Sequence, residues 1–549
     1  MLGFRTTLSK LNKRLPLRLA ATLLAGSSLI ASLLGVFRDR YFNSLYYLTY
    51  PSGADAYAVA FTVPDFMFII LVSGALSVSF IPVFNQRLVS GNKKSAWELS
   101  TSIMNLMALA TFVASILIMI FADPLVRYVV GPGLDESSRS LAVSMMRVIA
   151  VSPMLFAVAT VVTSMQQAVG RFAFFALAPA LYNVGIIIGL LFFTSGINIF
   201  GFQIFEGGIM GVALGVVLGA ILQLIVSTFG LFGMGFDYRF KIYWKNKGFR
   251  QVLRLLPPRS LDQGIDYVNS IVETNLASRM IAGTALAYKQ VTSLTYMPVN
   301  LIGVAISTAA FPKMTERIAE GRPDLFKSEL QSVLRVIIWL ALPVTIVAIF
   351  ARGYIINFIV TGGDPYMASI LAVLAVSILF RSVYFISARS FYAQQDTKTP
   401  LYISLFTIAL NITLAIWFTM GLGMAVQGLA WAAVIVSATE VSILFFLMSK
   451  RIKGLFDKPF LHAIGRMASA AGFMSVVTYF TVALLPLAAD DQRFLDSFPK
   501  FVVIASVSFL VYFFFSYIFK LKEVQPILSR TKKILFKRPE VTDEPDKHS

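Results

Sequence analysis

About fourteen stretches, each long and apolar enough to cross a bilayer as a helix, recur along this chain. Crossing the hydrocarbon core takes about 20 consecutive apolar residues. Such runs cover roughly 19–37, 57–84, 100–121, 141–165, 173–194, 208–234 and 260–282. A second set covers roughly 286–311, 333–358, 367–392, 401–420, 425–449, 461–486 and 499–519. The expectation is an all-α polytopic membrane protein with about 14 transmembrane helices. Composition agrees: 57% of residues are hydrophobic and 14% charged, whereas a soluble domain carries about a quarter charged residues. The first run is too long for a signal-peptide core and has no convincing cleavage site, so it is read as a retained span.

The formal net charge of +19 could point to nucleic acid, but the placement of the charges argues otherwise. Every second loop is basic. Lys10 to Arg18, Arg87 to Lys94, Arg171, Arg239 to Arg254, Lys313 to Lys327, Lys398, Lys450 to Lys458 and the tail from Lys520 to Arg538 fall on one side. The alternate loops are poor in Lys and Arg and hold Glu206, Asp364, Asp490, Asp491 and Asp496. The positive-inside rule then puts both termini in the cytoplasm, and the basic tail can touch anionic membrane lipid. The charge reports topology, and no nucleic-acid partner is expected. Cysteine is absent and there are two histidines, His462 and His548, which rules out thiol chemistry, disulfides and Cys/His metal sites. No Walker loop, G-x-S-x-G or H-E-x-x-H motif occurs, so neither a nucleotide-driven pump nor a hydrolase is indicated. The chain reads as a transporter with no cofactor, not an enzyme.

An internal repeat organises the spans. "ALSVSFIP" (75–82) and "AISTAAFP" (305–312) close the second and eighth helices about 230 residues apart. "AVS" recurs at 150–152 and 375–377, and Asn183 in the fifth helix matches Asn411 in the eleventh. An offset of six helices preserves orientation, so the halves form two parallel six-helix lobes, with two C-terminal helices outside the repeat. The expected organisation is an N-terminal lobe over 1–235, a C-terminal lobe over 236–456, two extra helices over 457–522 and a basic tail over 523–549. Transporters built from such repeats place their substrate between the halves, near the bilayer midplane.

"PRSLDQGIDYVNSIVE" (258–273) is the polar exception among the spans. Arg259, Asp262, Asp266, Asn269 and Glu273 are spaced at helical intervals and share roughly 80° of one helix face. The stretch is read as helix seven, beginning at Pro257-Pro258, a position where proline suits a helix start. A carboxylate facing hydrocarbon costs at least about 2.5 kcal/mol, so the stripe should face a wet interior or a helix–helix network. Glu273 near the midplane is the candidate for cation coupling, with Na⁺ or H⁺ as the candidate ions. Asp266 and Asn269 are candidate partners on the same face. "QQDTKTP" (394–400) is expected to hold the turn between helices ten and eleven without touching substrate.

Several of these segments resemble the MurJ/MviN family, the lipid II flippases of the MOP exporter superfamily. The carriers are "LLGVFRD" (33–39), "ADAYAVAFTVPDF" (54–66), "GALSVSFIPVF" (74–84), "PVNLIGVAISTAAFP" (298–312), "LALPVTIVAIF" (340–350) and "FYAQQDTKTP" (391–400). The resemblance runs through about 20–450. It implies a bacterial inner-membrane protein that moves a polyprenyl-diphosphate-linked saccharide from the inner to the outer leaflet by alternating access. Its partners would be that lipid-linked substrate, membrane lipids and cell-wall synthesis proteins. By the resemblance, Arg38, Asp39 and Asp55 carry over as substrate-site residues, and Glu273 and Asn411 as cation-coupling residues. Ser32, Phe68, Ile69, Ser73, Ser293, Tyr296 and Ala415 stand where the family usually has charged or polar groups. Arg259, Arg147, Arg381 and Arg389 are candidates to replace the missing cations, with Arg259 placed in the substrate site and Arg40 at the outer mouth. The rival readings are export of another amphiphile, or a transport-dead scaffold for cell-wall synthesis.

Overall fold

The structure, a computed structural model, describes residues 17–73, 80–199, 202–488 and 491–525. The basic N-terminal start, most of the first repeat motif (75–79) and the tail beyond Gln525 lie outside the described residues, as do the side chains of Arg259, Asp262 and Asp266.

Among the described residues, thirteen helices are long and apolar enough to cross a membrane. In the first half these are α1 (Thr22–Tyr47), α2 (Pro51–Val72), α3 (Lys93–Val130), α4 (Glu136–Ala168), α5 (Ala173–Phe193) and α6 (Met210–Phe229). A short hairpin of β1 (Ile197–Ile199) and β2 (Phe202–Phe205) joins α5 to α6. Next comes α7 (Lys247–Ser278), a helix of 32 residues. At 1.5 Å per residue it is about 48 Å long, ample for a crossing, and its charged stripe is what sets it apart from the other thirteen. The second half continues with α8 (Thr284–Ala319), α9 (Pro323–Phe350), α10 (Pro365–Ala393), α11 (Lys398–Gly421) and α12 (Ala425–Arg451). The last two spans are α13 (Lys458–Leu484) and α14 (Phe494–Ile518).

The start expected for α7 is corrected by ten residues. Asn246 caps the helix, its side-chain Oδ1 accepting from the amides of Gly248 at 2.9 Å and Phe249 at 3.2 Å. The helix then runs through Pro257 and Pro258. A cap that satisfies two orphan amides fixes a helix start more firmly than a proline, which only tolerates one.

Packing differs between the two ends of the bundle. At the basic-poor end a single apolar core joins both halves: Ala54–Val63 of α2, Val126 of α3 and Met145 of α4 are continuous with Leu286 of α8, Ile370 of α10 and Leu429 of α12. At the basic end the core divides. Phe84, Leu99, Val161 and Phe249 form one cluster, while Met314, Phe326, Ile386 and Leu444 form another. The halves are therefore joined at one end, while at the other only α7, through Phe249, bridges from the second half into the first-half cluster. α13 and α14 pack on α9 through Trp339, Met474 and Tyr512, and the Trp339 indole donates to Ser516 Oγ at 3.1 Å.

Two local features recur. α5 and α6 meet backbone to backbone: a methyl group added at Gly185 would lie 2.2 Å from Gly219 Cα, and one at Gly189 would lie 2.5 Å from Gly215 Cα. Small residues at four-residue spacing allow this approach in membranes. Among the described residues, π-helical turns also close α1 (Asn43–Tyr47), α3 (Leu125–Val130), α5 (Gly189–Phe193) and α11 (Trp417–Gly421), occur in α2 (Ile69–Ser73) and interrupt α8 (Asn300–Val304).

Candidate transport site

The end of α1 supplies a guanidinium held in place on three sides. Arg38 donates to Asp39 Oδ1 from Nη2 at 2.7 Å and from Nε at 2.9 Å, and to Asn183 Oδ1 of α5 at 2.9 Å. Asn183 in turn donates to the Ala31 carbonyl at 3.1 Å, so α5 orients the α1 cation. The side chains of Arg38 and Asp39 remain 25% and 30% accessible, enough for a ligand to reach them.

Across from this pair stands one that sequence reading missed. Lys289 of α8 lies 3.9 Å from Asp65 of α2, with the two side chains 41% and 42% accessible. Its ammonium also sits 4.9 Å from the centre of the Phe61 ring, a cation–π contact. Lys289 interacts electrostatically with both Asp65 and the Arg38–Asp39 pair. These groups come from α1 and α2 in one half and α8 in the other, and they face one another. All four side chains remain partly accessible, and charges within a membrane usually face a bundle interior or a wet cavity. Lys289 precedes Ser293 by one helical turn, so α8 keeps a cation on this face although Ser293 is uncharged.

A third array surrounds Glu273 of α7. Asn411 of α11 donates to its Oε1 at 3.3 Å, and Tyr288 and Arg381 act on the same carboxylate. Arg381 of α10 donates to the Tyr296 hydroxyl and lies 4.9 Å from that ring centre. The residue that replaces an acid in α8 thus holds an arginine beside Glu273. Asn411 Oδ1 and Asn269 Oδ1 are buried without hydrogen-bond partners, two oxygens available to a small cation. Further into the second half, Glu440 of α12 accepts from Ser404 at 3.1 Å and Thr407 at 3.3 Å and interacts with Arg381. No motif singled out Glu440.

Asp55 links the two halves directly. Only 3% exposed, it accepts from the amides of Gly283 at 2.7 Å and Leu286 at 2.9 Å. These are orphan donors at the start of α8, so a residue of the first half caps a helix of the second. In this conformation both carboxylate oxygens are engaged in that cap. Neighbouring bonds reinforce the same closure. Asn43 exchanges hydrogen bonds with Gln290 at 2.8 and 3.1 Å, Tyr47 donates to Asp364 at 2.6 Å, and Arg40 donates to the carbonyls of Asn357 and Gln492.

The remaining candidates separate clearly. Arg147 donates to the Met119 carbonyl at 3.2 Å, and Arg389 donates to Ser307 and to the Val304 carbonyl, so neither joins the arrays described above. Arg259 and Asp266 belong to the α7 face, but their side chains lie outside the described residues. In "QQDTKTP", Asp396 accepts from the Lys398 amide at 3.1 Å, the Thr399 amide at 3.0 Å and Arg451 at 2.5 Å. It ties the α10–α11 turn to the end of α12.

Comparison with known proteins agrees with this architecture. A family profile described as lipid II flippase MurJ matches residues 46–488. A probable lipid II flippase MurJ of Thermotoga maritima is 26% identical over 492 residues, covering 87% of this chain and 92% of the relative. A lipid II flippase MurJ solved in an inward closed conformation superimposes with a TM-score of 0.70 at 23% identity, over 91% of this chain and 98% of that one. An inward-facing multidrug resistance MATE transporter of the MOP superfamily gives 0.65 at 16% identity, over 80% and 99%. With 443 consecutive residues under one profile and the fold shared over 91% of its length, this chain belongs to the lipid II flippase MurJ family.

Proposed function

We propose that this protein is a flippase that carries lipid II, or a closely similar polyprenyl-diphosphate saccharide, across the bacterial inner membrane with both termini in the cytoplasm. The two six-helix lobes alternate access around the space between them. The observation that carries this reading is a pair of partly accessible cations, Arg38 and Lys289, drawn from opposite halves and near enough to act on each other electrostatically. A guanidinium can take two diphosphate oxygens at once and an ammonium adds a point charge, while the polyprenyl tail stays in lipid.

The charges also suggest how coupling works. Arg38 is matched by Asp39, Lys289 by Asp65 and Arg381 by Glu273. A diphosphate brings its own negative charge and competes with these carboxylates for the cations. Proton or Na⁺ uptake at Glu273, with Asn269 and Asn411 supplying oxygens, would relieve that competition. A conformation joined at the basic-poor end, with only α7 bridging the two cores at the basic end, supports reading it as the inward-facing step that loads from the cytoplasmic leaflet.

The test is complementation: native lipid II flippase is depleted from a bacterium and this gene supplied. The expected result is growth, lost with Lys289→Ala or Arg38→Ala at unchanged membrane abundance. Correct insertion without growth would instead favour another amphiphile or a scaffolding role.

A further inference from the structure

Where α3 and α7 begin, their first turns frame a cavity of about 910 Å³ at the basic end of the bundle, remote from the transport site. Five cations line it, Arg87, Lys94, Lys241, Lys245 and Lys247, against one carboxylate, Glu98. That carboxylate is already engaged by Asn246 Nδ2 at 3.2 Å. None of the five cations has a carboxylate partner among the described residues, and Arg87 Nε is buried with no hydrogen-bond partner at all. Such a concentration of unanswered positive charge calls for an anion.

Local structure holds the cations together. A methyl group at Gly248 would lie 2.3 Å from Arg87 Nε, so glycine lets the guanidinium rest against the first turn of α7. Asn92 caps α3 by accepting from the Ser95 amide at 3.0 Å, and Asn246 caps α7 as described above. Both caps are neutral amides, so neither cap itself opposes the positive end of its helix dipole, and Glu98, bonded to Asn246, is the one carboxylate near them. The segment 238–244 is docked on α3 by Asn105, which donates to the carbonyls of Arg239 at 3.0 Å and Lys241 at 3.1 Å.

The same segment indicates where the anion comes from. Tyr238, Phe240 and Trp244 are 49%, 92% and 57% exposed, and Arg239, Lys241 and Lys245 are interleaved with them. Exposed aromatic rings alternating with basic residues suit a segment lying among lipid headgroups. We propose that this cavity binds a phosphate-bearing headgroup, drawn from an anionic lipid of the adjoining leaflet. Arg87 grips the phosphate oxygens, the lysines surround them, and the aromatic side chains rest in the interface. The site would let membrane composition act on the junction of α3 and α7.

The test uses the full-length protein in neutral detergent micelles and native mass spectrometry. Dioctanoyl phosphatidylglycerol, dioctanoyl phosphatidylcholine and inorganic tripolyphosphate are added separately. The expected result is at least tenfold preferential retention of phosphatidylglycerol over phosphatidylcholine. A Lys94→Gln/Lys245→Gln double variant, altered only at exposed positions, should abolish that preference with an unchanged melting temperature. Arg87→Gln should do the same if it remains folded. Strong tripolyphosphate binding without phosphatidylglycerol preference, lost in the double variant, would support a phosphate site supplied from solution. Equal phosphatidylglycerol retention by wild type and double variant would overturn the proposal, as would the absence of both preferences in the wild type.

Discussion

The bonds from Asp55 to α8 should set how readily the basic-poor end opens. That end cannot open without separating α2 from α8, and separation breaks both bonds to Gly283 and Leu286. In Asp55→Asn one oxygen remains to accept, while the new amide group presents a donor to a donor. One charge-assisted bond is lost and one buried N–H is left unsatisfied. The closed state should lose about 2–3 kcal/mol, a shift of about 30- to 150-fold in the open-to-closed ratio. An outward-open population of about 1% would rise to roughly 25–60%. The cysteine-free chain permits direct spin labelling. Tyr128→Cys and Ile281→Cys, at positions 70% and 65% exposed, place labels on opposite halves at this end. Double electron–electron resonance in nanodiscs should show a new, longer distance in Asp55→Asn. An unchanged distance distribution in a folded variant would refute the reasoning.

Three further outcomes are expected. Glu273→Gln should leave the protein folded yet remove the dependence of transport on cation gradient or potential in vesicles; unaltered coupling would relegate the Glu273 array to helix packing. Lys289→Ala should weaken binding of a soluble diphosphate-sugar headgroup at least tenfold, whereas Lys289→Arg should restore most of it. Asp396→Asn should lower stability by about 1 kcal/mol, read as reduced melting temperature with unchanged transport per folded molecule. Burial pushes the Asp396 carboxyl up, but the Thr399 hydroxyl and amide and the Arg451 guanidinium outweigh it and bring it down to about 2. Its contribution is therefore complete above the ordinary carboxylate value and is lost as pH falls toward 2, so the gap between variant and wild type should close on acidification below about pH 4.

The apolar runs made the spans readable because bilayer thickness imposes their length and no soluble alternative competes. The polar stripe made Glu273 visible because a midplane carboxylate has few places to go. Lys289 and Asp65 escaped notice because each is a lone charge in an apolar run, and their contact joins residues 224 positions apart. Asp55 was recognised as special, but only the fold shows its oxygens capping a helix start across the interface. The α7 boundary was misplaced because Pro257-Pro258 is a conspicuous signal, whereas the Asn246 cap depends on backbone geometry. The α5–α6 contact was written in the sequence as Gly211, Gly215 and Gly219, a pattern that earns meaning only beside Gly185 and Gly189.

The π-helical turns preserve a trace of how the chain was assembled. The turn in α2 begins at Ile69 and the turn in α8 at Asn300, 231 residues later. The turns in α5 and α11 begin at Gly189 and Trp417, 228 residues apart. Both intervals match the repeat offset of about 230. A π turn arises when one extra residue enters an α-helix and the surrounding packing accommodates it. Two such events at matched places in each half would require four independent insertions after duplication; two insertions in a single ancestral half require only two. By that count the π turns of α2 and α5 are most economically read as features of one repeated plan shared with α8 and α11. The turns in α1 and α3 have no counterpart in α7 or α9, so the two halves share this plan only in part.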